Sequence, residues 1–306
     1  VYNIGYMRAL KYGHETGYYA CFAVALSSAI GIALSANLLT LFIFYEILTL
    51  ATYPLVFHAR TKEAIDGGHK YLVYTLAAGQ LLLVAIIWTM IVAPGAGFTA
   101  GGFLAGKAPV AVLQVLFVLF VLGFGVKAAV MPLHDWLPTA MVAPTPVSAL
   151  LHAVAVVKAG AFGFVRVAGF VFGPALIKDI GMGPLLAWLA SITIIVASLR
   201  ALSEDGLKRR LAYSTVGQLS YVVLGTAIAS PLAFLGAIFH IVAHAFMKIT
   251  LFFCAGAIYA TTHKENVSEM KGIGRQMPLT MAAFTIGSIA IVGTPFWVGF
   301  VSKWNR

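Results

Sequence analysis

Of the 306 residues, 61% are hydrophobic and 10% are charged, a balance that a water-soluble globule with one ordinary core does not carry. The formal charge of +10 at pH 7 comes from basic residues scattered among loops and helices. There is no long basic run and no base-stacking aromatic motif, so nucleic acid is excluded as a partner. No G-x-G-x-x-G, P-loop, nucleophile elbow or cysteine cluster occurs, so nothing points to a bound cofactor, a metal or covalent catalysis. Cys21 and Cys254 lie in apolar stretches without metal-ligand spacing and read as packing residues.

Apolar runs recur along the chain at the length a helix needs to cross about 30 Å of hydrocarbon, and roughly nine spans are expected. They fall at about 18–36, 37–57, 71–93, 111–131, 145–172, 183–203, 210–231, 233–258 and 279–301. The runs are continuously apolar over about twenty residues instead of alternating over about ten, which selects helices over barrel strands. The fold class is therefore all-α, a polytopic transmembrane bundle. Pro94 to Lys107 reads as a glycine-rich connector, and Ser203 to Arg210 and Thr261 to Met277 as exposed polar loops. The first 17 residues lack the blocks of a signal peptide. The start at Val1 and the stop at Trp304-Asn305-Arg306, directly after an apolar run, both read as interruptions of a longer chain.

Two segments depart from smooth spans. Met131-Pro132-Leu133-His134-Asp135-Trp136-Leu137-Pro138, with Pro144 and Pro146 beyond it, and Gly293-Thr294-Pro295 before Gly299 should each break a helix in or near the membrane. Gly123-Phe124-Gly125-Val126-Lys127 and Gly299-Phe300-Val301-Ser302-Lys303 echo one another, each bringing a lysine to a proline-marked helix. Corresponding broken helices in two halves point to transporter repeats with ion sites near the midplane. The expected organisation is one transmembrane domain over 1–306, with a first repeat at 18–172 and a second, truncated one at 183–306.

The charges inside the spans carry the chemistry. Glu46 sits in Leu41-Phe-Ile-Phe-Tyr-Glu-Ile-Leu-Thr-Leu50, and a carboxylate at helix centre costs about 3 kcal/mol or more, so it needs a partner or a proton. Ion handling and simple pairing with another helix are the two readings. Lys127 closes an apolar run that begins at Val110. Removal from water disfavours the charged form of an amine and a nearby carboxylate restores it, so Glu46 moving towards or away from Lys127 would switch proton affinity; the alternative is a lysine that snorkels to the interface. His240, His244 and Lys248 are spaced i, i+4, i+8 and line one side of a helix over roughly 12 Å. That is the shape of a relay; core packing and a His240/His244 metal site are the other readings, the latter lacking the Glu of H-E-x-x-H. His152 and Lys158 share the proline-led span but, six apart, need not share a face. Lys208 is either an interfacial anchor or a channel residue, and His134 and Asp135 either a proton-uptake point or a structured loop.

Several motifs resemble the antiporter-type subunits of respiratory complex I and its relatives. They are Phe44-Tyr-Glu-Ile-Leu-Thr-Leu-Ala-Thr-Tyr-Pro-Leu55, Val126-Lys-Ala-Ala-Val-Met-Pro-Leu-His-Asp-Trp-Leu-Pro138, Ala143-Pro-Thr-Pro-Val-Ser-Ala-Leu-Leu-His-Ala153, Leu207-Lys-Arg-Arg-Leu-Ala-Tyr-Ser-Thr215, His240-Ile-Val-Ala-His-Ala-Phe-Met-Lys248 and Gly299-Phe-Val-Ser-Lys-Trp304. Tyr6-Met7-Arg8, Tyr18-Tyr19-Ala20-Cys21-Phe22 and Met247-Lys-Ile-Thr-Leu-Phe-Phe-Cys-Ala-Gly256 resemble the D subunit of the multisubunit monovalent cation/proton antiporter. The resemblance implies a proton pathway of Glu46 and Lys127 as a coupled pair, Lys158 and Lys208 as connecting residues, His240, His244 and Lys248 as a second half-channel, and Lys303 near the far exit; His152 joins this axis by position. It further implies two inverted repeats, other membrane subunits as partners, protons and Na+ or K+ as the transported ions, and the inner (plasma) membrane of bacteria. A secondary transporter subunit is expected, and a proton-pumping membrane subunit of a redox-driven complex, of the NADH:quinone oxidoreductase or membrane hydrogenase type, is the alternative.

Overall fold

A computed structural model describes residues 1–304; Asn305 and Arg306, the last residues of the expected second repeat, lie outside the described residues. No β-strand occurs among the described residues. The chain opens with a short helix, α1 (Tyr2–Ala9), and continues through α2 (Glu15–Leu34), α3 (Leu38–Val56), α4 (Lys62–Val92) and α5 (Val110–Lys127). A broken region follows: a one-turn α6 (Trp136–Thr139), α7 (Thr145–Ala149), a π-helical turn at Leu150–Val154, α8 (Val156–Val167), a second π turn at Ala168–Phe172 and α9 (Pro174–Asp179). Then come α10 (Met182–Ser203), α11 (Leu207–Ile228), α12 (Pro231–Thr262), α13 (Ile273–Gln276), α14 (Pro278–Val292) and α15 (Val298–Trp304).

Local chemistry sets the starts. Asn37 accepts from the Thr40 N–H at 2.8 Å, Thr61 from the Ala64 N–H at 3.2 Å and Ser230 from the Ala233 N–H at 3.2 Å, each satisfying an otherwise orphaned donor of a first turn. Pro231 follows its cap at the first helical position, where the missing N–H costs nothing. Inside the apolar spans, the buried hydroxyls of Thr52, Thr75 and Thr89 donate back to the carbonyls of Leu48, Tyr71 and Ala85 at 2.7 Å, so each is satisfied within its own helix.

Eight helical segments are long and apolar enough to cross a membrane, and Pro278–Val292 is a shorter apolar helix. The ninth expected span is thus divided, because Gly293, with φ of 91°, ends α14 and α15 resumes only at Val298. Helix α4 begins at Lys62, well before the expected 71, and its 31 residues give about 46 Å of helix, longer than the hydrocarbon. Its polar first turns stand outside the core, and Lys70 there pairs with Asp135 from the break after α5. The polar loop expected over Ser203–Arg210 shrinks to three residues between α10 and α11, so Lys208, Arg209 and Arg210 are helical. Outward faces carry Val24, Ile30 and Leu34 on α2 and Leu185, Ile192, Ile195 and Leu199 on α10, all exposed and apolar, as a surface solvated by lipid tails requires.

The chain's interior is the broken segment. Thr145–Phe172 is the most buried of the candidate spans, with α5, α11 and α12 packed around it. Beyond Lys127 the chain reverses through Ala129, at φ of 57°, into the Met131–Asp135 break.

Candidate proton pathway

The first pair is set by α3, α4 and α5. Lys127 at the end of α5 is fully buried and its Nζ lies 4.0 Å from Glu46 Oε1, whose side chain is 19% exposed. That separation is an ion-pair distance but longer than a hydrogen bond, and Glu46 Oε1 takes no hydrogen bond among the described residues. The Lys127 ammonium donates to the Tyr45 carbonyl and stands 3.2 Å from the centre of the Tyr45 ring. Two glycines make room for this pair. A Cβ at Gly79 of α4 would sit 2.6 Å from Glu46 Oε1, and one at Gly160 of α8 would sit 2.3 Å from the Ala128 nitrogen and 2.7 Å from the Lys127 carbonyl carbon. Neither position tolerates a side chain without displacing the pair.

The second group gathers around α12. Lys158 Nζ of α8 is hydrogen-bonded to His244 Nδ1 at 2.6 Å, and the His240 and His244 rings lie 6.0 Å apart on successive turns. His240 Nδ1 is 2.8 Å from Ser302 Oγ of α15. Ser302 Oγ also lies 3.0 Å from Gly299 O, to which its hydroxyl can donate. Lys248, two turns below His240, donates to Leu211 O of α11 at 2.9 Å. His152 sits in the π turn, fully buried, with its ring 4.9 Å from Phe252 and neither nitrogen bonded to protein among the described residues. All of His152, Lys158, His240, His244 and Lys248 are buried.

The remaining expected residues fall at the ends. Lys208 is half-buried and donates to Ala143 O at 3.1 Å. It lines a cavity of about 660 Å³ with Thr139, Glu204, Asp205, Tyr213 and Glu265. The roof of that cavity is a pairing of two connectors: Leu207 N–H donates to Glu265 O and Val267 N–H to Asp205 O, both at 2.9 Å. Ser268 closes it, its hydroxyl and N–H donating to the Asp205 carboxylate and holding that carboxyl below the usual range. Lys303 donates to Ile291 O at 2.7 Å, at the open end of α14, and faces the Tyr221 ring at 5.1 Å. Asp135 is engaged by Lys70 at the surface, and burial pushes the neighbouring His134 imidazole down. Cys21 and Cys254 are both free, and no cluster of metal-ligating side chains occurs among the described residues.

Three residues escaped the sequence reading. Tyr45 and Ser302 are direct neighbours of Lys127 and His240, and both stood beside charged residues in quoted motifs. Arg166 donates to Ala33 O at 3.0 Å and lies about 5 Å from the rings of Phe98, Phe162 and Phe170. Phe98 comes from a distant connector, which no local pattern reveals.

Comparison with known proteins adds the family. The family described as NADH:quinone oxidoreductase/Mrp antiporter, transmembrane, matches residues 35–305. NADH-quinone oxidoreductase subunit N of Desulforudis audaxviator is 33% identical over 99% of this chain and 60% of its own length. NAD(P)H-quinone oxidoreductase chain 5 of Synechocystis is also 33% identical over 99% of this chain, but over 45% of its own length, so the chain spans roughly half of these relatives. Among solved structures, the Mrp complex from Dietzia sp. superposes with a TM-score of 0.87 at 31% identity, covering 94% of this chain and 31% of that one. An archaeal respiratory complex, the membrane-bound sulfane sulfur reductase, superposes with a TM-score of 0.83 at 30% identity over 93% of this chain and 58% of that one. With the match covering nearly the whole sequence and its helices superposing on both complexes, this chain belongs to the NADH:quinone oxidoreductase/Mrp antiporter transmembrane family.

Proposed function

We propose that this chain is a proton-translocating subunit of a multisubunit Na+ or K+/proton antiporter, working beside other membrane subunits. One observation carries the reading: Lys127, Lys158 and Lys248 are buried inside membrane-spanning helices together with His152, His240 and His244. Charged or titratable groups at that depth are costly and mark proton and ion paths. The route runs from Glu46 and Lys127, through Lys158 and His244, to His240 and Lys248, with Lys208 and Lys303 towards the two ends. Waters would bridge the imidazole nitrogens of His152 and His244 that protein does not engage. With repeats at 18–172 and 183–306, each half would hold a helix with a lysine in its last turn, Lys127 of α5 and Lys303 of α15. The chain is a multi-pass membrane protein, and bacterial members of its family sit in the plasma membrane.

The D-subunit wording of Tyr6-Met7-Arg8 and Tyr18-Tyr19-Ala20-Cys21-Phe22 and the superposition on an Mrp complex favour the antiporter. A second reading has its own support: the curated relatives are named as quinone oxidoreductase subunits, and one superposing complex is respiratory. There the same axis would serve a redox-driven pump.

The test is exchange in everted vesicles carrying the gene with its operon partners, comparing wild type with Glu46→Ala and Lys127→Ala. Cation-dependent proton movement lost in both variants, with assembly intact, is the expected result. Undiminished exchange in both would overturn the pathway, and proton movement that follows quinone reduction but not added Na+ or K+ would select the redox-driven reading.

A further inference from the structure

The 4.0 Å gap between Lys127 Nζ and Glu46 Oε1 needs an account, because a fully buried ammonium beside a carboxylate gains most by closing to hydrogen-bond distance. The ammonium is held elsewhere. It donates to the Tyr45 carbonyl and stands 3.2 Å over the Tyr45 ring. That ring is itself fixed. Its hydroxyl donates to Gly123 O at 3.2 Å, one turn before Lys127 on α5, and Phe124 meets it edge-on with centroids 5.4 Å apart. Tyr45 is fully buried, so the ring face is shielded from water.

From this geometry we infer that Tyr45 is a positioning residue whose ring face and carbonyl form a second berth for the Lys127 ammonium, in competition with the Glu46 carboxylate. The inference rests on the pathway reading above, in which Glu46 and Lys127 exchange partners as protons pass. A two-position lysine needs something to hold its charge when the carboxylate lets go. A desolvated ring face supplies this, shifting the balance between charged and neutral amine by about tenfold or more. Adjacent positions on one helix suit the purpose, since Tyr45 and Glu46 present two partners within one lysine side chain's reach and no helix need move. Among the described residues, Glu46 is the charged group set against Lys127. Tyr71 of α4 shares its hydroxyl with Thr52, and α8 presents Gly160 to the Lys127 backbone.

The experiment compares Tyr45→Phe and Tyr45→Leu in the assembled complex, following proton movement in vesicles against pH and the amount of complex in the membrane. Phenylalanine keeps the ring face and the backbone carbonyl, so it should retain the wild-type pH midpoint. Leucine keeps only the carbonyl, and should slow proton movement about tenfold and move the midpoint about one unit towards acid. Progressively fluorinated phenylalanines at position 45 weaken the ring's attraction for a cation without changing its shape. The midpoint should move stepwise with fluorine number, which a purely space-filling ring would not produce. Equal impairment of phenylalanine and leucine, or a midpoint indifferent to fluorination, would overturn the berth. Failure of the pathway reading looks different: Glu46→Ala and Lys127→Ala would then exchange normally. If those two variants are inactive and the fluorinated series is flat, the role of Tyr45 alone is wrong.

Discussion

Lys158 of α8 and His244 of α12 meet at 2.6 Å, a lysine from the proline-led span bonded to the middle of a three-residue row nearly ninety positions later. Both are buried, so neither can trade this contact for water, and removing one leaves the other's polar nitrogen without its protein partner. Substituting Lys158→Met and His244→Leu separately should each reduce proton movement at least tenfold. If the two act as one link, the double variant will be no slower than the slower single. Additive losses in vesicle flux would show that they act independently.

Gly79 should be intolerant in a particular way. A methyl group there falls 2.6 Å from Glu46 Oε1, so Gly79→Ala displaces a carboxylate while strengthening the helix that carries it. The expectation is severe loss of proton movement with little change in thermal stability of the purified complex. Gly160→Ala meets backbone instead, and should destabilise by about 1–3 kcal/mol or more. Gly17 in α2, with nothing within 4 Å, is the control, and its alanine variant should be neutral or stabilised by a few tenths of a kcal/mol.

Ser302→Ala removes the hydroxyl that meets His240 Nδ1 at 2.8 Å. The ring loses one of its fixing contacts, and the second half of the route should slow severalfold with unchanged assembly. Proton flux normalised to complex content is the measurement. An unaffected rate would show that His240 needs no such fixing.

The connector pairing above the Lys208 cavity should weaken in acid. The Ser268 hydroxyl and N–H hold the Asp205 carboxyl below its unfolded value, so its contribution is complete above that value and is lost as pH falls through the lower, folded one. The protection of residues 204–206 and 265–269 against hydrogen exchange, relative to the intrinsic rate at each pH, should therefore fall below about pH 4. Ser268→Ala, which keeps the N–H but loses the hydroxyl, should weaken that dependence.

Sequence was most informative where burial forbids charge. Glu46, Lys127 and the His240, His244, Lys248 row were legible because a titratable residue in an apolar run has few uses, and helical spacing alone put the last three on one side. The fold class followed from the same runs. What stayed hidden was the partnership across helices. Nothing local joins Lys158 to His244 or Ser302 to His240, since each contact depends on how separate helices cross. Two boundaries show how local signals act. The break expected at Gly293-Thr294-Pro295 divides the last span, and the polar connector expected over 203–210 is cut to three residues, held by hydrogen bonds to residues some sixty positions away, with Lys208 in the first turn of α11.

The π turn at Leu150–Val154 has a consequence for chain length. It takes up an extra residue within the span, and so sets the angular phase of everything after it relative to everything before. Relaxing it to an ordinary α-helix with every residue kept would rotate α8 by about 100° about its axis. The Lys158 amine would swing out of reach of His244 while the span stayed apolar, helical and nearly as long. One residue of slack thus decides whether the two halves of the bundle share a common wire.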